Sequence, residues 1–132
     1  MPEFTLSGRA DAPVEEVWKL LFDPTRFPEW WVGVQTVRND SADGYTVGLE
    51  GYPDFPVPQR LRGDRAKGHV TISCQVTDID FVWQLAEDGY GTRIDVHVAL
   101  PDSEAYRLED KRENITTSLI RLATLAKAAA TS

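Results

Sequence analysis

Residues 69–98 read HVTISCQVTDIDFVWQLAEDGYGTRIDVHV, and their spacing decides the fold class. Val70, Ile72, Cys74 and Val76 alternate with Thr71, Ser73, Gln75 and Thr77. After Asp78, Phe81, Trp83 and Leu85 alternate with Val82, Gln84 and Ala86. After Asp88-Gly89, Ile94, Val96 and Val98 alternate with Arg93, Asp95 and His97. A period of two sends successive side chains to opposite faces of a strand, and Asp-Gly is a hairpin signal. The stretch predicts consecutive hairpins: an antiparallel meander that buries one face.

Downstream, Pro101-Asp102-Ser103-Glu104 marks a helix start, and nothing breaks a helix from there to about Ala130. Leu108, Ile115, Leu119, Leu122 and Ala126 form one stripe along it. Upstream, Ala66-Lys67-Gly68 turns the chain after a candidate strand over 59–65. The stretch 51–58 carries Pro53, Pro56 and Pro58; this density predicts a stiff loop and excludes a central strand. Residues 32–40 and 45–50, joined at Asp43-Gly44, read as a hairpin. Phe4 to Ala10 alternates as a half-buried strand. It is followed by a helix starting at Pro13, with Val14, Val17, Trp18 and Leu21 on one face, that ends at Asp23-Pro24. A second short helix covers 25–31, interrupted by Pro28.

The order is strand, two short helices, about six strands, long helix. A meander with one apolar face needs a cover, and the last helix is the one element large enough to supply it. A twisted sheet curls around such a helix without touching all of it. The expectation is an α+β domain over 1–132 with a cavity lined by the inward face.

The composition bounds function. A chain of 132 residues is one domain. Its formal charge of -7, from 21 acidic and 14 basic residues, argues against nucleic acid and anionic lipid surfaces as partners. The single cysteine, Cys74, forbids an internal disulfide. No signal-peptide pattern opens the chain, so a reducing cytoplasm is the expected compartment, without integral membrane association.

The residues also carry a family likeness. Ala12-Pro13-Val14-Glu15-Glu16-Val17-Trp18-Lys19-Leu20-Leu21-Phe22-Asp23, followed by Phe27-Pro28-Glu29-Trp30, resembles the N-terminal signature of START-like (SRPBCC) domains in the polyketide cyclase/dehydrase and lipid transport branch. Gly91-Thr92-Arg93-Ile94 resembles the opening of that family's last strand. The resemblance implies the helix-grip fold of the birch-pollen-allergen type: an antiparallel sheet of about six or seven strands curved around a long C-terminal helix, with two short helices after the first strand. It also implies an apolar pocket. Members bind lipids, sterols, polyketides, aromatic hormones or quinones, and some cyclise or dehydrate polyketides. The family has no universal catalytic triad, so fold carries over better than function.

The expected ligand-binding lining is Phe27 and Trp30 from the second helix, Tyr45, Val47, Leu61, Cys74, Trp83 and Val96 from the strands, and Ile115, Leu119 and Leu122 from the last helix. Beside this stands the plainer reading that these are core residues. The Tyr45 hydroxyl is a candidate polar anchor. Cys74, in mid-strand, does not read as a nucleophile. Trp31 reads as exposed at the mouth or facing a partner, and Tyr52 and Phe55 as caps on the entrance, with folding onto the sheet edge as the other reading. Arg60 and Arg62 share one face; Leu61 between them favours their facing solvent. His69 and His97 fall on polar faces, and no metal set or cofactor motif is visible. Three function classes follow: a binding protein for a small hydrophobic ligand; a cyclase or dehydratase drawing on Tyr45, Glu50, Arg60 or Asp64 by resemblance; or an interaction module, such as a homodimer, built on Trp31 and the Tyr52–Phe55 loop.

Overall fold

The computed structural model describes residues 2–131. The chain runs β1 (Glu3–Ala10), α1 (Val14–Leu21), a 3₁₀ turn (Pro24–Arg26), α2 (Phe27–Trp30), β2 (Val34–Asn39), β3 (Gly44–Leu49) and β4 (Tyr52–Asp64). A second 3₁₀ turn (Arg65–Lys67), β5 (His69–Cys74), β6 (Asp80–Asp88), β7 (Gly91–Ala99), a third 3₁₀ turn (Asp102–Arg107) and α3 (Leu108–Thr131) follow. The strands form one antiparallel sheet in the order β1-β7-β6-β5-β4-β3-β2. Strands β2 to β7 are the meander, and β1 pairs with β7 from Glu3↔Ala99 to Ala10↔Thr92. Since β1 and β2 lie at opposite edges, α1 and α2 must carry the chain across. This is the α+β helix grip that the resemblance implies. No helix among the described residues is long and apolar enough to cross a membrane.

The alternation sets the core. Val70, Ile72, Cys74, Phe81, Trp83, Leu85, Ile94, Val96 and Val98 are all buried on one face. From α3, Ile115, Ser118, Leu119, Leu122 and Ala126 are buried against it. α3 packs on β1, α1 and α2, and it comes so close to β1 that a Cβ on Gly8 would stand 3.0 Å from Leu119 Cδ2.

Two expectations are corrected. The proline-rich stretch is part of β4, which is thirteen residues long. Its register with β3 jumps from Val47↔Val57 to Leu49↔Tyr52, so residues 53–56 have no partner there. Pairing with β5 starts only at Gln59↔Cys74. Pro53 and Pro56 therefore interrupt no ladder, which is where a strand tolerates proline. Second, β5 ends at Cys74, where the Asp78 N–H donates to the Cys74 carbonyl at 3.0 Å and Asp78 takes φ 58°. Ile79, 1 % exposed, takes the inward place assigned to Val76, which is 62 % exposed. The last helix also opens as a 3₁₀ turn before becoming α-helical at Leu108.

The segment between α2 and β2 is tied to α3 by side chains. The Val32 N–H donates to Ser118 Oγ at 3.0 Å, and Asn114 Nδ2 donates to the Val32 carbonyl at 2.8 Å. Ser118 in turn donates to the Asn114 carbonyl at 2.8 Å. Both backbone polar groups of Val32 are thereby satisfied away from the sheet.

Two measurements check this frame. Gly68 and Gly89 share nearly the same left-handed conformation, at φ 63° and 62°. A Cβ on Gly89 meets nothing, whereas one on Gly68 collides with the Leu85 carbonyl oxygen. Gly89→Ala should cost about 1 kcal/mol, and Gly68→Ala clearly more, in urea denaturation; equal costs would contradict the close approach of Gly68 to β6. Ser118→Ala strands the Val32 N–H and should cost about 2 kcal/mol; an unchanged urea midpoint would contradict the clamp.

Candidate functional site

The second helix delivers an aromatic wedge onto the sheet. Phe27 stands edge-on to Trp30, Trp31 and Tyr45, with ring centroids 5.4, 5.2 and 5.6 Å apart. Trp30 stacks on Trp31 at 5.6 Å and meets the edge of Trp83 at 5.5 Å. Trp31 meets Phe81 at 5.1 Å. Trp30 Nε1 donates to the Leu20 carbonyl at 3.0 Å, which fixes the wedge to α1. Such edge and offset contacts add to the burial of the rings.

Beyond Trp31 the interior is not filled. A recess of about 540 Å³ lies between the N-terminal part of α3 and the β2–β5 side of the sheet. Its apolar walls are Trp31, Val34, Leu49, Val57, Ile79 and Phe81, with Cys74 among them. Tyr52 and Phe55, 60 % and 69 % exposed, border it with Val76. Its polar boundary is Glu50, Gln59, Thr77, Arg107, Lys111 and Asn114.

Gln59 is buried, and its Oε1 accepts the Tyr45 hydroxyl at 2.8 Å. Burial pushes the Tyr45 phenol far above its ordinary value, with Cys74 acting in the same direction, so Tyr45 is a neutral donor at physiological pH. Burial pushes the Lys111 ammonium down, and the nearby charge of Arg107 does the same; Cys74, Glu104 and Asp110 partly oppose them. Arg107 is paired with Glu104 at 2.6 Å.

Of the expected lining residues, only Cys74 borders this recess. Phe27, Trp30, Tyr45, Val47, Leu61, Trp83, Val96, Ile115, Leu119 and Leu122 are all buried in the core. Phe27 and Trp30 back Trp31 from behind, and Tyr45 reaches the recess through Gln59. At the recess stand Arg107 from the 3₁₀ turn and Lys111 and Asn114 from α3, which precede the expected Ile115, Leu119 and Leu122 along the chain.

Trp31 is corrected from the surface to the interior: it is 5 % exposed and forms a wall. Tyr52 and Phe55 do stand at the mouth. Arg60 and Arg62 are exposed on either side of buried Leu61. Asp64 caps a 3₁₀ turn through the Lys67 N–H. His69 contacts Gln84 at 3.0 Å and His97 contacts Thr5 at 2.8 Å, both on the outer side of the sheet. Of the acid–base candidates Tyr45, Glu50, Arg60 and Asp64, only Glu50 borders the recess.

Lys111 was the residue most open to discovery from sequence. Counting back from Ile115 by four, or on from Leu108 by three, lands on it. A lysine standing in an apolar stripe is the signal. Val34, Leu49 and Val57 carry no comparable mark, since each reads as ordinary strand.

No family model matches the sequence, and no curated protein does either. Solved structures do match. A protein from Nitrosomonas europaea superposes with a TM-score of 0.79 at 17% identity, over 98% of this chain and 97% of its own. The protein XoxI from Bacillus cereus gives 0.76 at 17% identity, over 94% of each chain. The allergen Ara h 8.0201 gives 0.73 at 13% identity, over 96% of this chain and 97% of its own. At these identities the likeness is one of fold, and the fold these structures share with this chain is the helix grip.

Proposed function

We propose that the chain binds a small apolar or aromatic molecule in the recess beside Trp31. The observation that carries this reading is the recess itself: about 540 Å³, walled by aromatic and aliphatic side chains and open past Tyr52 and Phe55. Small-molecule sites commonly fall between ~300 and ~1,000 Å³ and combine apolar walls with a few polar groups. Apolar burial would supply the affinity, at about 25 cal/mol per Å² before ordering costs. The wall needs no rearrangement to receive a guest, because Trp31 is already held between Trp30, Phe27 and Phe81. A preformed site loses less ordering entropy on binding.

Native mass spectrometry of freshly purified protein, followed by titration with apolar aromatic compounds against tryptophan fluorescence, tests the proposal. Val57→Trp places an indole in the recess from a half-buried strand position. It should weaken binding about tenfold or more while the thermal midpoint stays within a few degrees. Equal affinity in Val57→Trp and the unaltered protein would place the ligand elsewhere, and no binding by any apolar probe would end the proposal.

A further inference from the structure

We propose that the molecule taken into the recess is an amphipathic carboxylate, its charged head at Lys111 beside Arg107 and its apolar body against Trp31, Val34 and Phe81. This rests on the reading of the recess as a ligand site and names the chemical class that fits it.

The argument starts from an uncompensated charge. Lys111 is half-buried at the recess wall, yet its ammonium makes no ion pair and no hydrogen bond with any described residue. An exposed arginine such as Arg60 without a partner is simply solvated. A lysine drawn partly out of water without a partner is costly, and charge in such a place is normally paired. Its setting adds to the cost. Arg107 lies near enough to repel it, and Arg107 has its own acid in Glu104. Lys111 also sits in the first turns of α3, where the helix dipole disfavours a cation. Nothing in the packing of the fold calls for a positive charge there.

An anionic guest resolves each of these conflicts together. A carboxylate supplies the missing counter-charge and accepts from Lys111 Nζ in a charge-assisted hydrogen bond. The same wall holds Thr77, whose hydroxyl oxygen is buried with no hydrogen-bond partner in the described structure. It too can donate to a carboxylate oxygen. The positive end of the recess stands against a chain of net charge -7, so it is a local feature and not part of a basic surface. Glu50, the one carboxylate bordering the recess, is exposed and not ion-paired to Lys111.

The charged and titratable groups facing Lys111 are Arg107 and Glu104 on the 3₁₀ turn, Asp110 on α3 and Cys74 on β5, with Glu50 at the border. Burial lowers the lysine, so part of the ammonium is lost as pH rises below the ordinary lysine range. A bound carboxylate favours the protonated form. Affinity for the anion therefore falls as pH rises through the titration of Lys111, while affinity for a neutral analogue does not.

Isothermal calorimetry with naphthoate and naphthylmethanol, which share a ring system and differ in head group, reads this directly. At neutral pH naphthoate should bind about tenfold tighter, the worth of one charge-assisted hydrogen bond. The preference should shrink toward alkaline pH, disappear in Lys111→Met, and persist without its pH dependence in Lys111→Arg, whose guanidinium stays charged throughout; this separates the lysine from the thiol. Equal affinity for the two probes in the unaltered protein, or a preference that survives Lys111→Met, overturns the anion proposal and leaves the apolar site standing. If neither probe binds, both proposals fall. If Lys111→Met does not fold, the pH dependence in the unaltered protein, set against its loss in Lys111→Arg, decides the matter.

Discussion

The structure depends on a mismatch of widths. Seven strands at ~4.8 Å spacing make a sheet about 29 Å across, and a helix with its side chains is about 10 Å wide. One helix cannot cover that face. The close approach of Leu119 to Gly8 settles which part it covers: α3 lies toward the β1 edge. Leucine against glycine lets the two backbones come together, and the helix is then committed to that side. The rest of the apolar face must be covered by something else. The crossing segment from β1 to β2 is the chain available there, and it brings Phe27, Trp30 and Trp31 with it. Three large rings cover the middle of the sheet. The far corner is left unfilled beneath the start of α3, and that corner is the recess.

Polar groups divide along the same line. Where they hold the frame together, they are paired. Tyr45 donates to Gln59, Trp30 to the Leu20 carbonyl, and Thr92 Oγ1 to the Ala12 carbonyl at 2.8 Å. Asn114 and Ser118 satisfy Val32. At the recess wall this pattern lapses: Thr77 Oγ1 and Lys111 Nζ have no protein partner among the described residues. Trp83 Nε1 is likewise unpaired, although it lies in the core, where its ring stands edge-on to Trp30. A folded chain rarely leaves a buried group such as Thr77 Oγ1 unmatched. With the unpaired ammonium of half-buried Lys111, it gives that wall a hydrogen-bonding capacity that packing does not use.

What the sequence disclosed follows from how local each determinant is. The hairpins over 69–98 were legible because pleating alone imposes a period of two, and the Asp88-Gly89 turn sets register without reference to the rest of the fold. The prolines misled because their cost depends on whether a neighbouring strand needs their N–H. That is a property of β3 and β5, which residues 51–58 do not reveal by themselves. Val76 continued the alternation in sequence, yet the turn that puts Asp78 in a left-handed conformation shifted the inward position to Ile79. The position of Trp31 is not legible locally because one side of its burial comes from Phe81, fifty residues away. The inward residues were recognisable by their polarity. Which of them face atoms and which face a void was not, since a wall and a core position require the same side chains.

The rim differs from the walls in how it is built. Val57 and Gln59 sit in register with Val47 and Tyr45 on β3, and Gln59 is also paired to Cys74 on β5. Residues 53–56 lie outside both ladders. Moving the chain that carries Phe55 therefore breaks no strand pairing, whereas moving Val57 or Gln59 does. Local opening is cheapest where few backbone hydrogen bonds must be broken. Proline restricts the shapes the segment can take, because each ring fixes φ near -65°. The recess thus combines walls held by the sheet with a lip whose position the sheet does not dictate. The same register jump that made residues 51–58 difficult to read as a strand separates the lip from the wall.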